Sequence, residues 1–196
     1  YSPTFDWNES DRIIHAAIAH ELHIVPLLDG DPNDGFAPVK TAVFAQFAAD
    51  FASRYGETMD QYIIWDEPNL SSHWGGQPVN ANAYAALLME TAVSIRNADP
   101  DALIIAAPLA PTIETSGDNL ADPIYLQQLY EAGAAAAFDR VMAKPYGFDY
   151  PPDDRTVDIN RLNFSRAILL REVMERNGDG DIALMAIPEP SALALF

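Results

Sequence analysis

The sequence predicts an α/β fold in which a parallel sheet carries its helices on the outside, and three observations predict it. Five apolar, strand-like runs centre on Ile24, Ile63, Ile104, Val141 and Ile182. They recur at intervals of 39, 41, 37 and 41 residues, each long enough for one helix and its loops. Between them the apolar spacing turns helical, and strand–helix alternation of this kind requires right-handed crossovers between parallel strands.

Each element follows from its own pattern. Ile14, Ala17, Ile18 and Leu22 mark one helical face ahead of the run at Ile24, and Phe44, Phe47, Ala48, Phe51 and Tyr55 mark the next. Tyr84, Leu87, Leu88, Thr91, Ala92 and Ile95 form a third, Leu126, Leu129 and Tyr130 a fourth, and Leu162, Leu169 and Val173 a fifth. Pro38 and Pro123 stand where a first helical turn accepts proline, and Pro100 stops the third helix. A closed barrel of such units has eight strands in about 250 residues, so five units fall about three strands short. A doubly wound sheet is the alternative, although no Gly-x-Gly-x-x-Gly follows any of the five runs.

Composition narrows function. At 196 residues and 49% hydrophobic, the chain can bury one core, and it reads as a single domain, 1–196, with no membrane span expected. A formal net charge of −18, with Lys40 and Lys144 as its lysines, repels phosphate backbones and argues against nucleic acid. A neutral sugar meets no such repulsion. The absence of cysteine excludes disulfides, thiolate nucleophiles and cysteine-based zinc sites. No leader-like segment precedes Tyr1, so any signal peptide is expected outside this chain.

The most informative stretch is Tyr62–Asn69, where a β-branched run ends in Asp66, Glu67 and Pro68. A strand of this kind delivers Glu67 to the C-terminal edge of the sheet, where the βα loops open. Pro68 ends the strand and biases Glu67 away from helical backbone angles. With Trp65 and Trp74 nearby, the stretch has the parts of a carbohydrate site: a titratable acid, a second acceptor and flat apolar surfaces. The structural alternative is a glutamate that caps the next segment or pairs with an arginine.

These residues carry a resemblance. Trp65-Asp66-Glu67-Pro68-Asn69-Leu70 resembles the Trp-Asn-Glu-Pro-Asn signature ending the fourth strand of clan-A glycoside hydrolases. In order around it, Phe5-Asp6-Trp7 with Asp11 resembles the segment after the second strand, and Val25–Asp29 resembles the third strand. Ala143-Lys144-Pro145-Tyr146-Gly147-Phe148 resembles the His-Pro-Tyr-Gly ending the sixth. The resemblance implies an incomplete (β/α) barrel of TIM type, supplying strands three to seven. Strands one, two and eight would then lie in a longer product or another chain, and the open sheet edge would favour self-association.

It also implies retaining hydrolysis of O-glycosidic bonds, with Glu67 as general acid/base, no cofactor, a carbohydrate partner and a secreted or cell-surface location. Asp66, Asn69, Trp74, Lys144 and Tyr146 would contact substrate, and Trp7 would line the sugar sites. Asp66 replaces the family's asparagine and can only accept hydrogen bonds when ionised. Lys144 replaces the family's histidine, so the two departures are complementary in charge and predict an Asp66–Lys144 pair; a solvent-reaching lysine is the alternative. Tyr146 can equally be a packed aromatic. The family's nucleophile aligns near Ala186, which leaves Glu189 as a displaced candidate. Without that nucleophile, the implied function is carbohydrate binding, or an inactive truncated barrel. Residues 187–193 also resemble the Pro-Glu-Pro head of an exosortase sorting signal, without its span or basic end.

The runs Asp29–Asp34 and Asn177–Asp181 invite calcium, but neither has full loop spacing, and Asx turns explain both. The four histidines form no His-Glu-x-x-His pattern, so no metal is expected.

Overall fold

The computed structural model describes residues 5–115 and 117–187. Its elements alternate as α1 (Asn8–Ala19), β1 (Leu27–Leu28), α2 (Thr41–Tyr55), β2 (Gln61–Ile64), α3 (Ala81–Ala98), β3 (Leu103–Ala106), α4 (Asp122–Glu131), β4 (Arg140–Ala143), α5 (Ala167–Arg176) and β5 (Ala183–Ala186). The five strands pair in parallel in the order β1-β2-β3-β4-β5. A doubly wound sheet must reverse its strand order at a switch point, and this one runs in sequence throughout, as the wall of a barrel does.

Alternation along the strands shows the same thing. Tyr62, Ile64, Ile104 and Val141 pack into a large core with the helices, whereas Ile63, Ile105 and Met142 point the other way and form a narrow second cluster with Val25, Met185 and Ile187. All five helices therefore lie over one face, and the opposite face carries an apolar stripe. Among the described residues, no helix is long and apolar enough to cross a membrane.

Differences from the sequence expectations are local. The first strand forms at Leu27–Leu28, past the apolar run centred on Ile24, and its pairing with β2 begins where Ile63 N donates to Pro26 O. Leu162 lies outside α5, which is entered instead through a short 3-10 turn at Phe164–Arg166. Buried Arg166 explains that entry, since it pairs with Asp122 of α4 and donates to Thr112 O and Ile159 O, fixing the chain before the helix. Pro38 lies ahead of α2, while Pro123 does occupy the first turn of α4.

Candidate active site

The site is built where β2 leaves the sheet. Trp65 N donates to Leu28 O (2.7 Å) and Glu67 N to Pro108 O (3.1 Å), so the backbone bonds first to one neighbouring strand's exit and then to the other's. Tyr84 of α3 braces the same level: its hydroxyl donates to Ile64 O and accepts from Ala107 N, both at 2.8 Å. Trp65 and Glu67 hold left-handed backbone angles, φ 70° and 45°. Such angles disfavour side-chain-bearing residues and persist where surroundings over-determine them. Here the determinants include the Trp65 indole N–H donating to His73 O (3.0 Å) and Leu70 N donating to Glu67 O (2.9 Å).

Glu67 thereby reaches the C-terminal edge of the sheet, its side chain 16% exposed, and meets Lys144 from the end of β4. Lys144 Nζ stands 2.6 Å from Glu67 Oε1 and 2.8 Å from Asp66 Oδ1. The complementary pair anticipated from the sequence therefore forms, and Glu67 joins it. Burial works against the ammonium, but the hydrogen bonds it donates to Asp66 and Glu67 outweigh it and hold the Lys144 pKa above the ordinary lysine value. His73 Nδ1 lies 3.6 Å from Glu67 Oε2, its ring stacked on Phe36. Asp66, Glu67 and His73 bring ligand atoms within 4.8 Å of one another, a spacing that suits a cation. Lys144 already supplies a tethered positive charge to both carboxylates.

Asp29, at the exit of β1, completes the cluster. Burial pushes its carboxyl up to about 6, against the amide hydrogen bonds of Gly30 and Asp66, and the nearby Asp66 charge adds to the rise. Gly30 is required beside it, because a Cβ there would come within 2.8 Å of the Trp65 ring. Neither Asp29 nor His73 was singled out for this site by sequence reasoning. A signal existed for each, since Asp29 ends the third-strand segment and His73 follows Glu67 by six residues, next to Trp74.

Three expected sugar contacts sit elsewhere. Asn69 is 0% exposed; its amide donates to Ala110 O and Leu120 O and accepts from Ala110 N, so it staples the loops after β2 and β3 instead of facing a ligand. Trp74 is 3% exposed, packed edge-on against Trp65 and Tyr84, because burying two indoles gains more than presenting them to water. Trp7 stacks on Phe47 and meets Phe51 and Tyr55, all of α2. Tyr146 is half-buried on the loop leaving β4, its amide donating to Lys144 O. Glu189 lies outside the described residues. The two Asx-rich runs form turns: Asp31 accepts from Asn33 N, Asp34 from Ala37 N, and Asn177 donates to Val173 O.

Solved structures share this architecture. A monomeric β-xylosidase from Caulobacter crescentus CB15 matches over 92% of this chain and 40% of its own, with a TM-score of 0.62 and 19% identity. A family 39 glycoside hydrolase from Bacteroides cellulosilyticus WH2 matches over 93% of this chain and 39% of its own, with a TM-score of 0.65 and 15% identity. A psychrophilic family 10 endo-β-1,4-xylanase matches over 96% and 72%, with a TM-score of 0.53 and 13% identity. The chain thus has the fold of clan-A glycoside hydrolases, part of a TIM-type barrel. It spans about 40% of the length of the family 39 structures. No family model and no curated protein matches it.

Proposed function

We propose that this chain belongs to a glycoside-hydrolase site in which Glu67 is the general acid/base of a retaining hydrolysis. The observation that carries this reading is the Glu67 carboxylate at the sheet's C-terminal edge, held by Lys144 at 2.6 Å and facing His73 at 3.6 Å. In the first step a carboxylate attacks the anomeric carbon while Glu67 gives its proton to the departing glycosidic oxygen. In the second, water attacks the same carbon, the glycosyl–enzyme bond breaks, and Glu67 takes the water's proton. Asp66 gives Lys144 a partner through both steps, so the ammonium stays compensated when Glu67 is neutral. Two carboxyl groups about 5 to 5.5 Å apart are needed. Ala186 ends β5 where the nucleophile aligns, so Glu189 is the candidate for the second.

A second reading is sugar binding without turnover. Ala186 at the tip of β5 and the ammonium bonded to Glu67 favour it. The names of the solved neighbours direct the probes to β-1,4-xylo-oligosaccharides and aryl β-xylosides. Hydrolysis abolished by both Glu67→Gln and Glu189→Gln supports the enzyme. Calorimetric binding with little or no hydrolysis supports the second reading. Neither binding nor hydrolysis would overturn both, and turnover indifferent to Glu67→Gln would place the chemistry elsewhere.

A further inference from the structure

The loop leaving β4 carries an aromatic residue where local chemistry argues against one. Tyr150 N donates to Gly147 O (3.0 Å) and closes a four-residue turn in which Phe148 is second, at φ 48°. That backbone state suits glycine, and a bulky residue loses stability by holding it. Burial does not offset the loss, because Phe148 is 54% exposed. An exposed ring in a disfavoured conformation is accounted for by neither local geometry nor core packing.

Its surroundings point to a ligand. The Phe148 ring lies 6.2 Å from that of Tyr146, inclined at 59°. Gly147 between them sits flat on Phe164, whose ring any Cβ there would overlap. The rest of the loop is tied down: Arg161 lies 4.0 Å over the Tyr150 ring and bonds Asp154 at 2.7 Å, while Asn163 and Ser165 also bond Asp154. Lys144, paired with Glu67, stands at the root of this loop. The arrangement is a preset aromatic surface beginning two residues along the chain from Lys144 of the charged cluster.

We propose that Phe148, with Tyr146 beside it, is a stacking platform for a further sugar ring of an oligosaccharide held at Glu67 and Lys144. The inference rests on the carbohydrate reading above. A pyranose offers an apolar C–H face to such a ring, and the net charge of −18 favours a neutral glycan over an acidic one.

The test compares binding of xylotetraose and xylose to wild type, Phe148→Gly and Phe148→Trp by calorimetry, with melting curves on each. Wild type should prefer the tetraose by about tenfold, the equivalent of ~1.4 kcal/mol of ring stacking. Phe148→Gly should remove that preference without lowering Tm, since glycine relieves the turn, and Phe148→Trp should keep it. A tetraose preference retained in Phe148→Gly, or absent from wild type that binds xylose, would overturn the platform alone. Wild type that binds neither sugar would overturn the platform together with the carbohydrate reading.

Discussion

Replacing Lys144 by methionine removes the one charge that both site carboxylates share, and the structure allows the cost to be worked out. The Lys144 side chain is 9% exposed, so its neighbours gain little solvent in exchange. Asp66 and Glu67 place oxygens within 4.8 Å of each other. At that separation and an effective dielectric constant of about 20, two bare carboxylates repel by about 3.5 kcal/mol. Loss of a partner from a buried pair costs ~3–5 kcal/mol, so the two routes agree. We expect Lys144→Met to lose about 3 kcal/mol at pH 8, or about 6–12 °C in Tm for a chain of this size. One carboxyl of the variant can escape by taking a proton, which makes the folded state bind more protons than the unfolded one. The deficit should therefore shrink as pH falls toward 5. In wild type the raised Lys144 pKa works at the other end, contributing stability below the ordinary lysine value and losing it as pH rises through the folded one. Urea unfolding of both proteins from pH 5 to 8 measures this. A deficit under about 1 kcal/mol throughout, or one that grows toward pH 5, would refute the shared-charge argument.

Asp29→Asn should act through pH as well. A carboxyl moved from 3.8 to about 6 has its folded value raised, so wild type loses stability as pH rises through that window, on the order of 1–2 kcal/mol once solvent screening of a partly exposed group is allowed for. The difference between wild-type and Asp29→Asn stability, followed from pH 4 to 7, should trace that loss; a flat difference would mean that Asp29 is better solvated than its burial indicates. Asn69→Ala strips partners from Ala110 N, Ala110 O and Leu120 O, and should cost about 3 kcal/mol in urea unfolding. A loss below ~1 kcal/mol would return Asn69 to the list of ligand contacts.

Periodicity made the fold legible because a helix and a strand repeat their apolar residues differently, and five repeats of about 40 residues leave few topologies. Glu67 was legible for a related reason: a β-branched run that stops at Pro68 can only release its last residues at the sheet's edge. The Asp66–Lys144 pair could be read from two departures of opposite charge. Aromatic roles could not. Trp7, Trp65 and Trp74 look the same in sequence whether they stack on sugar or fill a core, and packing decided for the core in all three. Asn69 misled for the opposite reason, since its amide serves backbone groups whose need for partners appears only after two loops have met.

What remained hidden in the sequence is the source of the site's rigidity. Trp65 and Glu67 both adopt angles that local preference opposes, and the peptide between them is held by contacts remote in sequence. Leu28 O and Asp29 reach it from the end of β1 and Pro108 O from beyond β3, while His73 O, in the loop that follows, holds the Trp65 indole. Remove any one, and the other strained residue has less to hold it. Strain shared in this way aims Glu67 at Lys144 without a flexible side chain having to search for its partner. Phe148, another residue with a left-handed backbone in the loops that follow the strands, lies on the loop that supplies Lys144. The same argument therefore extends to it: a conformation opposed by local preference, in a loop tied down at Asp154, fixes where its ring points before any ligand arrives.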